Sequence, residues 1–281
     1  MENKNISIIL SDLDGTLFHD DKSISDYSKQ IIAEVQKQGI LFGICTSRAK
    51  VNAAQFLNGI KPDILITNGG GLVTVEMSKQ VRHDNAEGRH DGVRHPELVS
   101  GSVIYSCEFT VDEIRTLIKT TFEVCGPDAV LSVDNDHGLY CNTKEELGDK
   151  YWTYTDFSDF KENAMKMCVE TLDREKVEKI ASSIGLDKID YLPFSDIPWY
   201  KMSKKGATKE KAIEVLCEHL KITPTQIAAF GDDFNDIGML KLCGKGIAME
   251  NAIEEVKQIA DEVCLSNEAD GVAKWIKSHI L

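Results

Sequence analysis

The sequence predicts an α/β protein: a parallel sheet flanked by helices and interrupted by a smaller α+β domain. Three observations predict it. Short apolar runs alternate with helical patterns from Ile6 to Thr67. That texture stops near Leu72, and residues 103–192 carry short strands and helices in a different order. The first texture returns from about Trp199 and continues to the C-terminal helix. A β-α-β-α-β order implies parallel neighbours joined by right-handed crossovers.

The run Ile6 to Leu10, broken only by Ser7, has the β-branched content of a strand buried on both faces. Phe18 to Ile24 is polar. Ser25 caps a helix with Tyr27, Ile31 and Val35 at four-residue spacing, and Gly39 ends it. Ile40 to Cys45 is a second strand, Ala49 to Leu57 a short helix closed by Asn58-Gly59, and Ile64 to Thr67 a third strand. Val73 and Val75 suggest another strand. The stretch 83–101 has no periodicity and holds three of the seven histidines. It reads as a surface loop or insertion rather than a metal site.

In the inserted unit, Thr110-Val111-Asp112-Glu113 is a capping box that opens a helix to about Cys125. Val130 to Val133 and Leu139 to Cys141 form a hairpin candidate. Lys166 to Val169 is a strand, Asp173 to Ser183 an amphipathic helix stopped by Gly185, and Lys188 to Leu192 a further strand. Tyr151, Trp152, Tyr154 and Phe157 form an aromatic cluster. Trp152, Tyr154 and Trp199 read as core residues, with a pocket wall as the alternative. Trp199 to Met202 is extended, and Thr208 caps a helix to Leu220. Gln226 to Phe230 and Gly246 to Met249 are strands. Helices cover Ile237 to Leu242, Ala252 to Ala260 and, from Gly271, the Val272, Trp275, Ile276 and His279 face.

At 281 residues and 42% apolar content the chain can bury one large or two ordinary cores. A net charge of −14 argues against a general nucleic-acid or anionic-membrane binder. It does not exclude an anionic small substrate, because a metal and local cations reverse the local potential. No apolar run approaches the ~18 residues a membrane helix needs. Met1 to Asn5 leads straight into the first strand, which predicts no signal peptide and a cytoplasmic protein. The eight cysteines form no C-x-x-C pair and mostly sit in apolar stretches. They read as reduced, buried thiols rather than zinc ligands or a disulfide framework.

The chemistry gathers at strand ends. Asp12-Leu13-Asp14-Gly15-Thr16 follows the first strand, where Gly15 forces a tight turn. Asp12 and Asp14 point the same way if strand geometry continues that far. Two such carboxylates repel unless a cation or acid/base chemistry gives them a task; the bland reading is an Asx-turn or calcium-type loop. Thr46-Ser47 ends the second strand, Asp232, Asn235 and Asp236 follow the strand at Phe230, and Asn251 contributes more weakly. Strand ends of one parallel sheet converge on one crevice. Lys209 starts a helix, where partial positive charge already favours an anion. Carboxylates, hydroxyls and such a lysine fit a magnesium-assisted phosphoryl site.

These residues carry a resemblance. Asp12-Leu13-Asp14-Gly15-Thr16, Thr46-Ser47-Arg48, Lys209 and Gly231-Asp232-Asp233-Phe234-Asn235-Asp236 resemble, in order, the four motifs of the haloacid dehalogenase superfamily. The insertion resembles the cap of the Cof-type phosphatases. The resemblance implies a Rossmann-like core over 1–80 and 200–281, and a C2B-type α+β cap over 81–199 that includes the insertion around 83–101. It implies that Asp12 is the nucleophile that becomes an aspartyl-phosphate, and Asp14 the general acid/base. Mg²⁺ would be held by Asp12, the Asp14 backbone carbonyl and Asp232, with Asp236 in or near the shell. Thr46 and Ser47 would donate to the phosphoryl group, Lys209 would neutralise it, and Asn235 would orient it.

Two positions depart from the pattern: Ser47 replaces the usual Gly, and Glu210 follows Lys209 where Gly is usual. Lys205, followed by Gly206, competes with Lys209 for the lysine role. The implied activity is Mg²⁺-dependent hydrolysis of a small phosphorylated metabolite: a sugar phosphate or, alternatively, a cofactor phosphate. A phosphomannomutase-like phosphomutase is the alternative enzyme, and a non-catalytic metabolite-binding protein the alternative class. The sequence does not name the oligomeric state, monomer or dimer.

Overall fold

The protein is described from a computed structural model over residues 6–57, 59–76, 101–136, 138–143, 152–194 and 197–281. The stretch 83–101, apart from Gly101, and Tyr151 of the aromatic cluster lie outside the described residues.

In chain order the first elements are β1 (Ile8–Ser11), α1 (Asp26–Lys37), β2 (Leu41–Cys45), α2 (Lys50–Phe56), β3 (Ile64–Thr67), β4 (Leu72–Val75) and β5 (Ser102–Ser106). Then come α3 (Val111–Cys125), β6 (Leu131–Asp134), β7 (Leu139–Cys141), β8 (Trp152–Tyr154), β9 (Lys166–Glu170), α4 (Arg174–Ser182), β10 (Ile189–Pro193) and β11 (Trp199–Lys204). The chain closes with α5 (Lys209–Leu220), β12 (Ile227–Gly231), α6 (Ile237–Leu242), β13 (Lys245–Ala248), α7 (Glu254–Ile259), β14 (Glu262–Val263) and α8 (Gly271–His279).

Eight strands form the core sheet in the order β14-β13-β12-β1-β2-β3-β4-β5. The six from β14 to β3 are parallel, and β4 and β5 add an antiparallel edge. The central strands are buried on both faces, with Ile8, Ile9, Leu10, Phe42, Ile44, Ala229 and Phe230 at 0–1% exposure. Helices therefore cover both sides, as a parallel sheet requires. Chain order runs outward from β1 through β2 and β3 on one side. On the other it resumes at β12 and runs through β13 to β14. The β1/β12 boundary is thus the switch point where such sheets open a crevice.

The second sheet has the order β10-β11-β9-β6-β7-β8 and is antiparallel except between β7 and β8. Helices α3 and α4 cover one face, burying Ile114, Leu117, Val177 and Ile180 against Leu131, Val133, Met167 and Val169. Thr110 makes the capping box with Glu113 that the sequence predicts.

The sheets divide the chain at other positions than 80/81 and 199/200. β5 pairs with β4 in the core sheet, and β11 pairs with β9 and β10 in the second sheet. Composition hides this, because β5 and β11 resemble the strands on either side of each crossing. Tyr27 departs from the expected helix face: it is 38% exposed, whereas Ser28, Ile31, Ile32 and Val35 face the core. The strand also ends at Ser11, one residue before the acidic pair, and the chain then turns sharply.

Candidate active site

Asp12 extends β1 by one residue, its N–H donating to Phe230 O at 3.1 Å across the switch point. The turn that follows is closed by Phe18 N–H to Leu13 O, with Gly15 at φ +70°. Asp12 and Asp14 consequently diverge instead of sharing a direction.

Asp12 meets the residues that follow β12. Lys209 Nζ, at the start of α5, lies 2.7 Å from Asp12 Oδ1 and 2.6 Å from Asp236 Oδ1. Thr208 caps that helix by accepting from Lys211 N–H. Asp232 Oδ1 accepts from the Thr16 hydroxyl at 2.7 Å. Asp236 Oδ2 accepts from the backbone N–H groups of Asp232 and Asp233. Both oxygens of Asp236 are therefore engaged, and the side chain braces Lys209 against the turn. Lys205 is exposed, and Glu210 packs beside Gly238.

Asp12, Asp232 and Asp236 each offer one oxygen within 4.8 Å of the others. Burial pushes the Asp12 carboxyl well above the ordinary carboxylate range, Lys209 pulls it back, and Asp236 and Asp232 raise it again. Burial and the Asp236 charge push Asp232 up to about 7. Lys209 loses stability as an ion through burial, but Asp12 and Asp236 more than restore it and hold its ammonium well above the ordinary lysine range. One lysine does not balance three crowded carboxylates. Hard oxygen donors with surplus negative charge suit a divalent cation such as Mg²⁺.

Asp14 stands apart from this trio. Arg48 grips it through Nε and through Nη2 at 2.7 Å, and Lys22 Nζ lies 2.9 Å from it. Burial would raise the Asp14 carboxyl, but Arg48 and Lys22 outweigh burial and hold it below its ordinary value. The Arg48 guanidinium is itself seated 4.7 Å over the Phe56 ring.

Thr46 is buried at the end of β2, and its hydroxyl accepts from Arg48 N–H at 3.2 Å. Ser47 and Asn235 line the same cavity of about 820 Å³ as Asp12, Asp14, Lys209, Asp232 and Asp236. Asn251 contributes indirectly, donating to Gly15 O at 2.7 Å. The cavity roof is the uncovered face of the second sheet, including Ser132, Asp134, Lys166 and Cys168, with Trp152 and Trp199 in its walls. Tyr154 is 48% exposed. All eight cysteines are free, and five are buried.

Sequence reasoning missed Asp134, Lys166 and Lys201 on the roof. For the two lysines a signal was available: Lys166 sits between Met165 and Met167, and Lys201 between Tyr200 and Met202, in short strand patterns.

Gly15 has no room for a side chain. A Cβ there would stand 2.2 Å from Asp232 Oδ2, at a φ that L-residues rarely adopt. Gly15→Ala is expected to displace Asp232 and lower kcat/KM for a phosphate ester by ~10²-fold, as losing one preorganised electrostatic group does. Steady-state kinetics with a titration of Mg²⁺ would show the KM for metal rising as well.

A family model described as haloacid dehalogenase-like hydrolase matches residues 9–276. The 5-amino-6-(5-phospho-D-ribitylamino)uracil phosphatase YitU of Bacillus subtilis is 28% identical over 290 residues, covering 99% of both chains. Among solved structures, the superfamily phosphatase BT1666 of Bacteroides thetaiotaomicron superposes with a TM-score of 0.75 at 21% identity, over 98% of this chain and 95% of its own. The subclass IIB sugar phosphatase BT4131 superposes with a TM-score of 0.72 at 22% identity, over 97% and 98%. No helix among the described residues is long and apolar enough to cross a membrane.

Proposed function

The chain belongs to the haloacid dehalogenase-like hydrolases, as a phosphatase of the Cof type, and from that premise we propose that it hydrolyses a small-molecule phosphomonoester through a phosphorylated Asp12, with Mg²⁺ as its cofactor. The observation that carries this reading is Asp12 itself. It is buried at the switch point, held by Lys209 and opposed by Asp232.

Asp12, Asp232 and the Asp14 backbone carbonyl would hold the metal. Bound there, Mg²⁺ would neutralise charge on the phosphoryl oxygens. Asp12 attacks phosphorus, the ester P–O bond breaks, and Asp14 delivers a proton to the leaving alkoxide. Asp14 then takes a proton from the water that attacks the acyl phosphate, which frees inorganic phosphate and restores the Asp12 carboxylate. The Arg48 grip favours ionised Asp14, the form that activates water. Giving a proton to the leaving group requires Asp14 to part from Arg48. Lys209 and the donors of Thr46, Ser47 and Asn235 hold the transferring group in line.

A cavity of about 820 Å³ leaves room beside the phosphoryl site for the rest of an ester. YitU is named for a substrate that joins a phosphorylated polyol to a uracil ring. Trp152 and Trp199 in the walls, with polar Ser132 and Asp134 also lining the cavity, suit a phosphate ester that combines an aromatic and a hydroxylated part.

Rapid acid quench with a radiolabelled phosphate ester tests the mechanism. Label retained on the peptide that contains Asp12 is the expected result. Mg²⁺-dependent turnover with no trapped label, under conditions where hydrolysis of the intermediate limits the rate, would overturn it.

A further inference from the structure

Two buried lysines project from the roof onto the phosphate-binding loops of the core. Lys201 on β11 pairs with Cys168 on β9, and Ser203 pairs with Lys166, so Lys166 and Lys201 share the uncovered face. Lys166 Nζ donates to Ser47 O at 2.8 Å and is balanced by Asp134 at 2.9 Å. Lys201 Nζ donates to Asn235 Oδ1 at 3.3 Å. Lys201 is 6% exposed and forms no ion pair with any described residue. Its seat is built: a Cβ at Gly69 would stand 2.8 Å from Lys201 Nζ.

An ammonium has donors and no acceptor, whereas a side-chain amide has one end of each kind. Lys201 can therefore face only the carbonyl end of Asn235, which turns Nδ2 to the other side. Asn235 stands in the cavity wall, and Lys201 does not. We propose that Lys201 is a positioning residue, which fixes the Asn235 amide with its N–H groups towards the phosphoryl pocket, so that docking of the second sheet sets a phosphate-binding donor of the core. The proposal rests on the phosphatase reading above.

Electrostatics make the role separable from a structural one. Burying a cation without a carboxylate costs stability. Burial, with Lys166 on β9 and Lys209 on α5 nearby, pulls the Lys201 ammonium down to about 8, against the opposite pull of Cys168 and Glu210. A lysine whose folded value lies below its unfolded value of ~10.4 destabilises the fold fully below the lower value. That cost fades as pH rises towards the upper value. Replacing it by an apolar side chain of similar length should therefore help the fold and harm the site.

The test uses the full chain with Mg²⁺ and four variants: Lys201→Met, Lys201→Gln, Asn235→Ala and the Lys201→Met/Asn235→Ala double variant. Lys201→Met is expected to raise KM for p-nitrophenyl phosphate and the inhibition constant of inorganic phosphate by about tenfold, with kcat changed less, as for loss of one charge-assisted hydrogen bond. Its Tm is expected to rise by a few degrees at pH 7, with the gain shrinking above pH 8. Lys201→Gln retains a donor and is expected to stay within about threefold of wild type in phosphate affinity. The double variant should be no worse than Asn235→Ala, because the two residues act as one unit. Unchanged phosphate affinity in Lys201→Met, losses that add in the double variant, or a Gln variant as impaired as Met would overturn the positioning role. Wild-type turnover would still leave the phosphatase reading intact in each of those cases. A wild-type chain with neither turnover nor phosphate binding in Mg²⁺ would remove both.

Discussion

Asp12→Asn is expected to lower turnover of any phosphomonoester by ~10⁵-fold or more, as removing a nucleophile does in enzymes that form a covalent intermediate. The amide keeps the shape of the carboxylate but cannot form the acyl phosphate. The fold should tolerate the change. Lys209 retains Asp236 at 2.6 Å, and one of three crowded carboxylates disappears. Stopped assays with p-nitrophenyl phosphate, with mass spectrometry to exclude deamidation, measure the loss. Near-native Tm would show that chemistry and not folding has been removed. Activity surviving undiminished in the intact variant would sink the covalent mechanism.

Lys209→Met is expected to lower kcat/KM by ~10³-fold, because in the proposed mechanism it removes the cation that neutralises the phosphoryl group. Its effect on stability should oppose that of Lys201→Met. Lys209 is ion-paired to Asp12 and Asp236, so its loss leaves buried carboxylates uncompensated, at about 3–5 kcal/mol for a buried pair. Mg²⁺ should then do part of the lysine's work. A unit charge a few ångströms away contributes ~1–4 kcal/mol at protein effective dielectric, so metal affinity should rise about tenfold or more in the variant. Thermal melts with increasing Mg²⁺ would show a larger metal-induced rise than wild type. An unchanged metal response would mean that Lys209 does not share its carboxylates with the ion.

Much of this site is legible in the sequence, because each core residue lies within a short run that has its own physics. Asp12 follows an apolar strand and precedes a Gly turn, Lys209 follows a capping Thr, and Asp232 follows the run that ends at Phe230. Each is fixed by local chemistry, and parallel-sheet geometry brings the ends together. What the sequence hides is relational. Nothing near Asp14 announces that Arg48 will grip it, because the grip depends on where the chain turns after Ser11. Nothing near Lys201 announces Asn235, because that contact depends on how one sheet seats on another. The sheet membership of β5 and β11 is hidden for the same reason: a short strand carries its pattern but not its neighbour.

The neighbours of β1 have a consequence for how the chain comes into being. β2 reaches β1 early in synthesis, but the other flank waits for β12, and the bond from Thr16 to Asp232 spans 216 positions. Until the ribosome has delivered the stretch past Asp236, one edge of the central strand stands open, with hydrophobic faces and unpaired backbone groups. Asp12, Lys209, Asp232 and Asp236 therefore come together late, after the inserted domain has been made. A nascent chain that lacks β12 lacks this site. It does have an open strand edge, the feature that makes an incomplete sheet prone to aggregate.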